Sequence, residues 1–292
     1  MYSETCIASQ ERTRAFVKIQ DGCNNFCSYC IVPYLRGRSR SRKIADVVRE
    51  INSSKSAETV LIGIDISQFG KDTGESLPRL FRSLQGIKTR IRLGSLEAGV
   101  VTDELLESLT EIDFCPHFHL SLQSGCDTVL KRMNRKYTTA QYFEAVKKIR
   151  KVFPDAGITT DVIAGFSEET DREFEETCAF VSAVGFSDIH GFPYSPREGT
   201  ASFAWPDVPF SIKAERVKRL SEIKSELKRN FACKFKGATK SVLCERKKNG
   251  YFEGYTKEYL RVYFTGECKI GEIVNVEIGE PFLDGAVGKA VM

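Results

Sequence analysis

The sequence has no long apolar segment and no sign of an export signal. No hydrophobic run approaches the ~18 residues of a membrane-spanning helix, although hydrophobic residues make up 41% of the 292 positions and can supply a large core. Residues 1–14 have neither the charged start nor the apolar stretch of a secretory signal. We therefore expect a cytoplasmic protein with no membrane partner, and ten cysteines that stay reduced.

Histidine is scarce, which limits the metal sites that the chain can build. The three histidines are His117, His119 and His190. None lies near the C-x3-C-x2-C run formed by Cys23, Cys27 and Cys30, so a zinc ion bound there would lack a nearby fourth ligand. Three thiolates on one loop instead suit three corners of a four-iron cluster, with the fourth iron left open to a small molecule. We predict this cluster, with zinc or a disulfide plus one free thiol as the alternatives.

The remaining cysteines and histidines show no ligand spacing. The cysteines are Cys6, Cys115, Cys126, Cys178, Cys233, Cys244 and Cys268. We expect small buried or tolerated residues at these positions. His117 and His119 share one strand face, where placement in the core or behind a ligand is favoured over metal binding.

Short strands and amphipathic helices alternate through most of the chain. Strands are predicted at 15–20, 59–63, 90–94, 117–122, 157–163 and 186–192, and helices at 42–53, 103–111, 138–152, 171–184 and 211–235. This alternation predicts an α/β fold with a parallel sheet, closed in part as a (βα)6 barrel over residues 14–236 after a linker at 1–13. Ligands gather at the carboxyl ends of such strands, and the cysteine run follows the first strand.

The pattern changes after residue 236. Short alternating strands are predicted at 241–245, 251–255, 260–264 and 273–278, so we expect residues 237–292 to form a small OB-like β-barrel. Tyrosines at 251, 255, 259 and 263, with Lys257 and Arg261 beside them, are candidates for stacking on nucleic-acid bases, with core packing as the alternative. Basic and acidic residues balance in this segment, so its charge does not favour nucleic acid.

Positive charge is concentrated elsewhere in the chain. Arg36, Arg38, Arg40, Arg42 and Lys43 follow the cysteine run closely. Residues 211–236 contain nine lysines and arginines against three glutamates. Both segments are predicted to contact a polyanion, with a solvated helix face as the equal alternative for the second.

Five stretches, 14–34, 36–42, 115–126, 130–137 and 192–200, resemble the radical S-adenosylmethionine (SAM) methylthiotransferases. The resemblance is strongest to the branch that modifies N6-threonylcarbamoyladenosine in tRNA, and the tail is similar to the TRAM domain of that family. It implies methylthio insertion at C2 of the adenosine next to the anticodon. The implied cofactors are SAM and a [4Fe-4S] cluster on Cys23, Cys27 and Cys30. The implied partners are the tRNA anticodon loop and a flavodoxin-type electron donor.

The resemblance also implies which residues meet the cofactor and the tRNA. The cofactor-binding set is Tyr29, Gly63, Asp65, Ser95, Glu97, Gln123, Glu169 and Arg197. The tRNA-binding set is Arg36, Arg38, Arg40, Arg42, Lys257 and Arg261. Tyr29 is expected against the adenine, Gly63 and Asp65 at the methionine amino group, and Ser95 and Glu97 at the ribose. For each of these, surface or indirect placement is the alternative.

The chain departs from the family pattern at several positions. Glu168 replaces a glycine, Asp65 stands where asparagine is common, and Ala98 replaces a proline. If the backbone at Glu168 needs positive φ, this change costs on the order of 1 kcal/mol.

The family's N-terminal domain carries three further cysteines for a second [4Fe-4S] cluster, and only Cys6 precedes the run in this sequence. Complete methylthiolation by this chain alone is therefore not expected. A tRNA-binding fragment that is catalytically incomplete, or a ribosomal protein substrate, are the alternative hypotheses.

Overall fold

The molecule consists of thirteen strands and eight α-helices in the part of the chain that the structure describes. The structure is a computed structural model, and it describes residues 13–291, so Cys6 lies outside the described residues. The first part contains β1 (Arg14–Asp21), α1 (Val32–Arg36), β2 (Arg40–Ser41), α2 (Ile44–Ser53), β3 (Glu58–Gly63), α3 (Leu77–Arg82), β4 (Arg90–Leu93), β5 (Ser95–Leu96), α4 (Asp103–Thr110) and β6 (His117–Leu120). It continues with α5 (Asp127–Arg132), α6 (Thr139–Val152), β7 (Gly157–Ala164), α7 (Asp171–Val184), β8 (Asp188–Pro193) and α8 (Phe210–Cys233). The last part contains β9 (Thr239–Lys248), β10 (Tyr251–Thr256), β11 (Arg261–Thr265), β12 (Ile273–Phe282) and β13 (Gly285–Ala290).

Parallel pairing builds a curved sheet from β1 to β8. β1, β3 and β4 pair in that order, as do β5, β6, β7 and β8. Only Gly94 separates β4 from β5, and a parallel bridge joins Ile91 to Phe114 just before β6, so the two sheets continue one another. Within residues 13–291 no pairing joins β1 to β8. The predicted partial barrel of six parallel strands is therefore present, open along one side.

Alternation along β1 shows how the barrel is packed. Ala15, Val17 and Ile19 are buried, and Val17 and Ile19 join the core that the strands form with the helices. Thr138 and Thr170 begin α6 and α7 with complete capping boxes, in which each threonine and the residue three positions on exchange hydrogen bonds. These caps set the helix starts close to where the sequence predicts them.

The last five strands form a closed barrel of their own. The strand order is β10, β11, β13, β12 and β9, with β11 and β13 parallel and the other pairs antiparallel. β13 was not predicted, because its Gly285 and Gly288 weaken the strand pattern. A Cβ at Gly285 would lie 2.1 Å from the carbonyl oxygen of Arg261, so glycine is required for the close approach of the two strands.

The small barrel packs against the amino ends of the parallel strands. Arg90 and Arg92 of β4 donate to the carbonyl oxygens of Tyr255 and Thr256 at 3.2 Å. A Cβ at Gly157, the first residue of β7, would lie 2.0 Å from the carbonyl oxygen of Glu258. The segment between β10 and β11 is thus pressed against the end of the sheet opposite to the cysteine run.

Helix α8 joins the two barrels. Its Leu220, Ile223 and Leu227 belong to the core of the parallel barrel. Phe231 and Ala232, one turn further on, belong to the core of the small barrel. Across residues 13–291, no helix has the length and apolar character needed to cross a bilayer.

Candidate functional site

The cysteine run lines a small cavity at the carboxyl ends of the strands. The cavity has a volume of about 140 Å³. It is lined by Cys23, Asn25, Cys27, Tyr29, Cys30, Val32, Ile64, Asp65, Ser95, Leu96, Glu97, Ser121 and Arg135. Seven of the residues proposed for the cluster and the cofactor are therefore brought together in one place.

The loop that carries the cysteines is held at its start by Gly22. Gly22 has φ +74°, and a Cβ there would lie 2.1 Å from the carbonyl oxygen of Arg38, so only glycine fits without strain. The amide of Cys23 donates to the carbonyl of Gly37 at 3.1 Å. The amide of Cys30 donates to the carbonyl of Cys27 at 3.0 Å, which closes a tight turn.

The cysteine run supplies the ligand type of an iron–sulfur cluster. Cys23, Cys27 and Cys30 are all free cysteines facing one cavity. Within residues 13–291, no three histidine, cysteine, aspartate or glutamate side chains are grouped closely enough to hold one metal ion. Cysteine thiolates are the usual ligands of iron–sulfur clusters, so the chemistry of these three side chains fits the predicted cluster. Zinc also binds thiolates, so the zinc alternative stays a hypothesis.

Burial disfavours a charged thiolate at Cys23 and at Cys30. Burial, with smaller contributions from Asp65 and Cys27, raises the pKa of Cys23 to about 12. Burial also raises the pKa of Cys30. Burial therefore favours the protonated form of Cys23 and Cys30, and the binding of a cationic group would favour their thiolates.

Two carboxylates from the ends of neighbouring strands meet beside the cysteines. The side-chain amide of Asn25 donates to Asp65 at 2.9 Å and to Glu97 at 3.1 Å. Ser67 accepts from the amide of Glu97 at 2.8 Å and fixes its position. Burial raises the pKa of Glu97, and the nearby Asp65 adds to this. The pair is placed to accept hydrogen bonds from amino or hydroxyl groups of a ligand.

Arg135 is a site residue that the sequence did not single out. Its guanidinium, almost wholly buried, donates to Cys27 Sγ at 3.4 Å and pairs with Glu97 at 3.0 Å. Arg135 belongs to the 130–137 stretch, whose match to the family is the one sign of it in the sequence. No local pattern indicates its contact with Cys27, because the two residues are 108 positions apart.

Other residues of the predicted cofactor set lie around the cavity or away from it. Tyr29 lines it, edge-on to Phe166 with ring centroids 6.3 Å apart. Gly63 is the last residue of β3 and directly precedes Ile64 and Asp65, which line the cavity. Gln123 has φ +70° and lies outside the lining.

Glu169 and Arg197 also lie outside the lining of this cavity. Glu169 is buried in an ion pair with Arg216 of α8 at 2.8 Å. Arg197 lies exposed in the loop between β8 and α8.

The arginines that follow the cysteine run divide into two pairs. Arg36 and Arg38 are exposed beside the cavity, and Arg38 lies over the ring of Phe26 at 5.0 Å. Arg40 and Arg42 are partly buried and pair with Asp21 at 3.4 Å and Glu50 at 2.5 Å, respectively. The first pair is therefore free to meet a ligand, whereas the second holds the loop in place.

Lys257 and Arg261 lie at the opposite end of the parallel barrel. Lys257 pairs with Asp113, and Arg261 pairs with Glu253 and Asp284 at 2.6 and 2.8 Å. Tyr259 stacks on His117 and on Tyr255, with ring centroids 4.4 and 4.5 Å apart. The rings of Tyr255 and Tyr259 are therefore occupied by packing between the barrels, which was the alternative to base stacking.

A second, larger cavity lies between the parallel barrel, helix α8 and the small barrel. Its volume is about 560 Å³, and Ser95 lines both cavities. All three histidines line it. Thr159 hydrogen-bonds both His117 and His119 at 3.0 Å, and burial lowers the pKa of His117 well below its ordinary value. His117 is therefore buried, whereas His119 is half-buried and His190 is exposed.

The partial barrel of parallel strands and the cysteine loop at its carboxyl end define the class of radical SAM enzymes. The model of the radical SAM superfamily matches residues 17–181. The fold is shared with coproporphyrinogen III oxidase (HemN) from Escherichia coli, with a TM-score of 0.55 and 15% identity over 73% of this chain and 52% of that one. It is also shared with the radical SAM methyltransferase TsrM from Kitasatospora setae, with a TM-score of 0.52 and 14% identity over 61% of this chain and 36% of that one.

Comparison with curated proteins identifies the family within the radical SAM class. The chain is 39% identical to threonylcarbamoyladenosine tRNA methylthiotransferase MtaB of Bacillus subtilis (strain 168), over 97% of this chain and 67% of that protein. It is 36% identical to the protein of the same name from Chlamydia pneumoniae, over 96% of this chain and 68% of that protein. It is 37% identical to tRNA-2-methylthio-N(6)-dimethylallyladenosine synthase of Thermoanaerobacter sp. (strain X514), over 95% of this chain and 62% of that protein. The chain belongs to the tRNA methylthiotransferase family of the radical SAM superfamily, and it spans about two thirds of the length of these relatives.

Proposed function

We propose that this chain carries the radical SAM part of an enzyme that inserts a methylthio group at C2 of N6-threonylcarbamoyladenosine next to the anticodon of tRNA. The observation that carries the proposal is the convergence of Cys23, Cys27 and Cys30 on one cavity at the carboxyl ends of the strands. The names of the relatives support the tRNA substrate. The proposed location is the cytoplasm.

In this proposal, Cys23, Cys27 and Cys30 would hold a [4Fe-4S] cluster, and SAM would bind beside it. Together these cofactors would supply one-electron radical chemistry when the cluster is reduced. Asp65 and Glu97 accept hydrogen bonds from the amino and hydroxyl groups of SAM. Tyr29 covers one wall of the cavity and excludes water.

The substrate adenosine is proposed to enter from the same end. Arg36 and Arg38 are exposed there and are suited to phosphates of the anticodon loop, whose single-stranded bases can turn out of the stack.

Lys257 and Arg261 are also proposed to bind tRNA, in which case a phosphate would replace the carboxylates that they now pair with. We propose that this barrel is a TRAM domain. A flavodoxin-type protein is the proposed electron donor.

Iron content and SAM cleavage test the proposal on the chain itself. After anaerobic reconstitution we expect about four irons per chain, and 5′-deoxyadenosine on addition of SAM and dithionite. The Cys27→Ala variant should lose both, because one corner of the cluster is removed. The exposed Cys233→Ser variant is the matched control and should keep both. Two irons or fewer in the unaltered chain, with no 5′-deoxyadenosine, would refute the radical SAM assignment.

The substrate needs a separate test, because the chain spans only part of its relatives and the second cluster of the family is not supplied by residues 13–291. Nucleosides of tRNA from a strain without the gene should lack the 2-methylthio form of N6-threonylcarbamoyladenosine. Loss of the dimethylallyladenosine product would instead assign the chain to the other group of relatives. Unchanged tRNA would leave a ribosomal protein as the substrate to examine, and SAM cleavage without tRNA methylthiolation by the isolated chain favours the binding-fragment hypothesis.

A further inference from the structure

One guanidinium connects the cysteine loop to the walls of the cavity. Arg135 Nη1 donates to Cys27 Sγ at 3.4 Å, and Arg135 Nη2 pairs with Glu97 Oε1 at 3.0 Å. Arg135 Nε donates to the hydroxyl of Tyr137 at 3.0 Å, and this hydroxyl in turn donates to the carbonyl of Ser121 at 2.7 Å. These contacts hold the side chain in a single orientation, with the planar fork of the guanidinium shared between sulfur and carboxylate.

Arg135 also brings a positive charge into the cavity. Among the described residues that line the cavity, it is the one cation, and it faces Asp65, Glu97 and the three cysteines. Its side chain is 6% exposed, so solvent screens its interaction with the sulfur only weakly. Arg132, three residues earlier, points away and pairs with Glu173 of α7 at 2.7 Å.

We propose that Arg135 is a positioning residue that sets the reduction potential of the cluster through its hydrogen bond to the sulfur of Cys27. The proposal rests on the proposed function, because it requires the cluster to be present. It assigns Arg135 a role in electron uptake that is separate from the binding of SAM.

The sign of the effect follows from electrostatics. Reduction adds one negative charge to a group that three thiolates already make negative, in a pocket with two further carboxylates. A buried positive charge and an N–H donor at a ligand sulfur stabilise the reduced state more than the oxidised state, and so raise the potential. Removing the charge should therefore lower the midpoint potential and make the cluster harder to reduce.

The test is an anaerobic redox titration of the reconstituted chain without SAM, followed by electron paramagnetic resonance. Arg135→Gln should have a lower midpoint potential than the unaltered chain at equal iron content. Arg135→Lys, which keeps the charge but loses the fork, should lie between them. Arg132→Gln is the matched control, because it removes an arginine of the same segment that pairs with Glu173 and not with Cys23, Cys27 or Cys30. Its midpoint potential should equal that of the unaltered chain.

Several outcomes would overturn the proposal. Equal potentials for Arg135→Gln and the unaltered chain at equal iron content would show that the contact does not tune the cluster. If Arg135→Gln does not bind iron, the midpoint potential of Arg135→Lys tests the proposal instead. A midpoint potential equal to that of the unaltered chain would show that Arg135 only stabilises the loop and does not tune the cluster. Absence of iron from the unaltered chain would refute the proposed function itself, which is a distinguishable result.

Discussion

Glu58 offers the sharpest test of how the two barrels are held together. It is the first residue of β3, its side chain is wholly buried, and it accepts hydrogen bonds from Arg14, Arg90 and Arg92. Arg90 and Arg92 in turn donate to backbone carbonyls of the small barrel. Glu58→Gln keeps the size of the side chain but removes the charge that the three arginines share.

The magnitude follows from the proton affinity of this carboxyl group. Burial alone would raise the pKa of Glu58, but Arg92, Arg90 and Arg14 together lower it from 4.5 to about 2. A decrease of this size corresponds to about 3 kcal/mol of folding free energy at neutral pH. Removal of one partner from a buried ion pair typically costs about 3 to 5 kcal/mol, which agrees.

The pH dependence has a definite sign. Because the folded-state pKa lies below the unfolded-state value, the stabilisation is fully present above pH 4.5 and is lost as the pH falls toward 2. About 1 kcal/mol of it should be gone by pH 4. The difference between the unaltered chain and Glu58→Gln should therefore shrink by that amount between pH 7 and pH 4.

Urea denaturation followed by circular dichroism at both pH values measures these free energies. Glu104→Gln is the control, because Glu104 forms an exposed pair with Arg82 and its loss should cost less than about 1 kcal/mol. A cost below about 1 kcal/mol for Glu58→Gln, unchanged between the two pH values, would refute the reasoning.

Two further pairs of substitutions probe the backbone. Glu168 has φ +59°, so Glu168→Gly should raise the free energy of unfolding by about 1 kcal/mol. Asn249→Gly, at φ +51°, should have a smaller effect because asparagine tolerates this conformation. Urea denaturation measures both free energies, and no gain for Glu168→Gly would contradict the strain argument. Gly157→Ala should lower the melting temperature by several degrees, because the added Cβ would lie 2.0 Å from the carbonyl of Glu258, whereas Gly99→Ala meets nothing within 4 Å. Equal melting temperatures for these two alanine variants would argue against tight docking of the barrels.

The regular part of the fold could be predicted from the sequence because local signals and packing agree there. A threonine side chain can cap the start of a helix, and α6 and α7 begin directly after Thr138 and Thr170. The strain suspected at Glu168 is confirmed by its positive φ. The strand of residues 285–290 was missed, because its pairing depends on glycines that allow close approach rather than on a pattern of apolar residues.

The candidate site was predictable where one short segment carries the chemistry, and less so where distant segments meet. The spacing of Cys23, Cys27 and Cys30 is enough to predict a cluster site. Arg135 is 108 residues from Cys27 in sequence, so no local pattern could reveal their hydrogen bond. Tyr259 looked available for base stacking, but its ring contacts His117, which is 142 residues away (259 minus 117).

Helix α8 has a consequence for how the chain holds together as a whole. One continuous helix contributes Leu220 and Leu227 to the first core and Phe231 to the second. If this helix moved away from one core, it would expose apolar side chains there while it stayed packed in the other. The shared helix therefore fixes the small barrel directly to the parallel barrel, without a flexible linker between them.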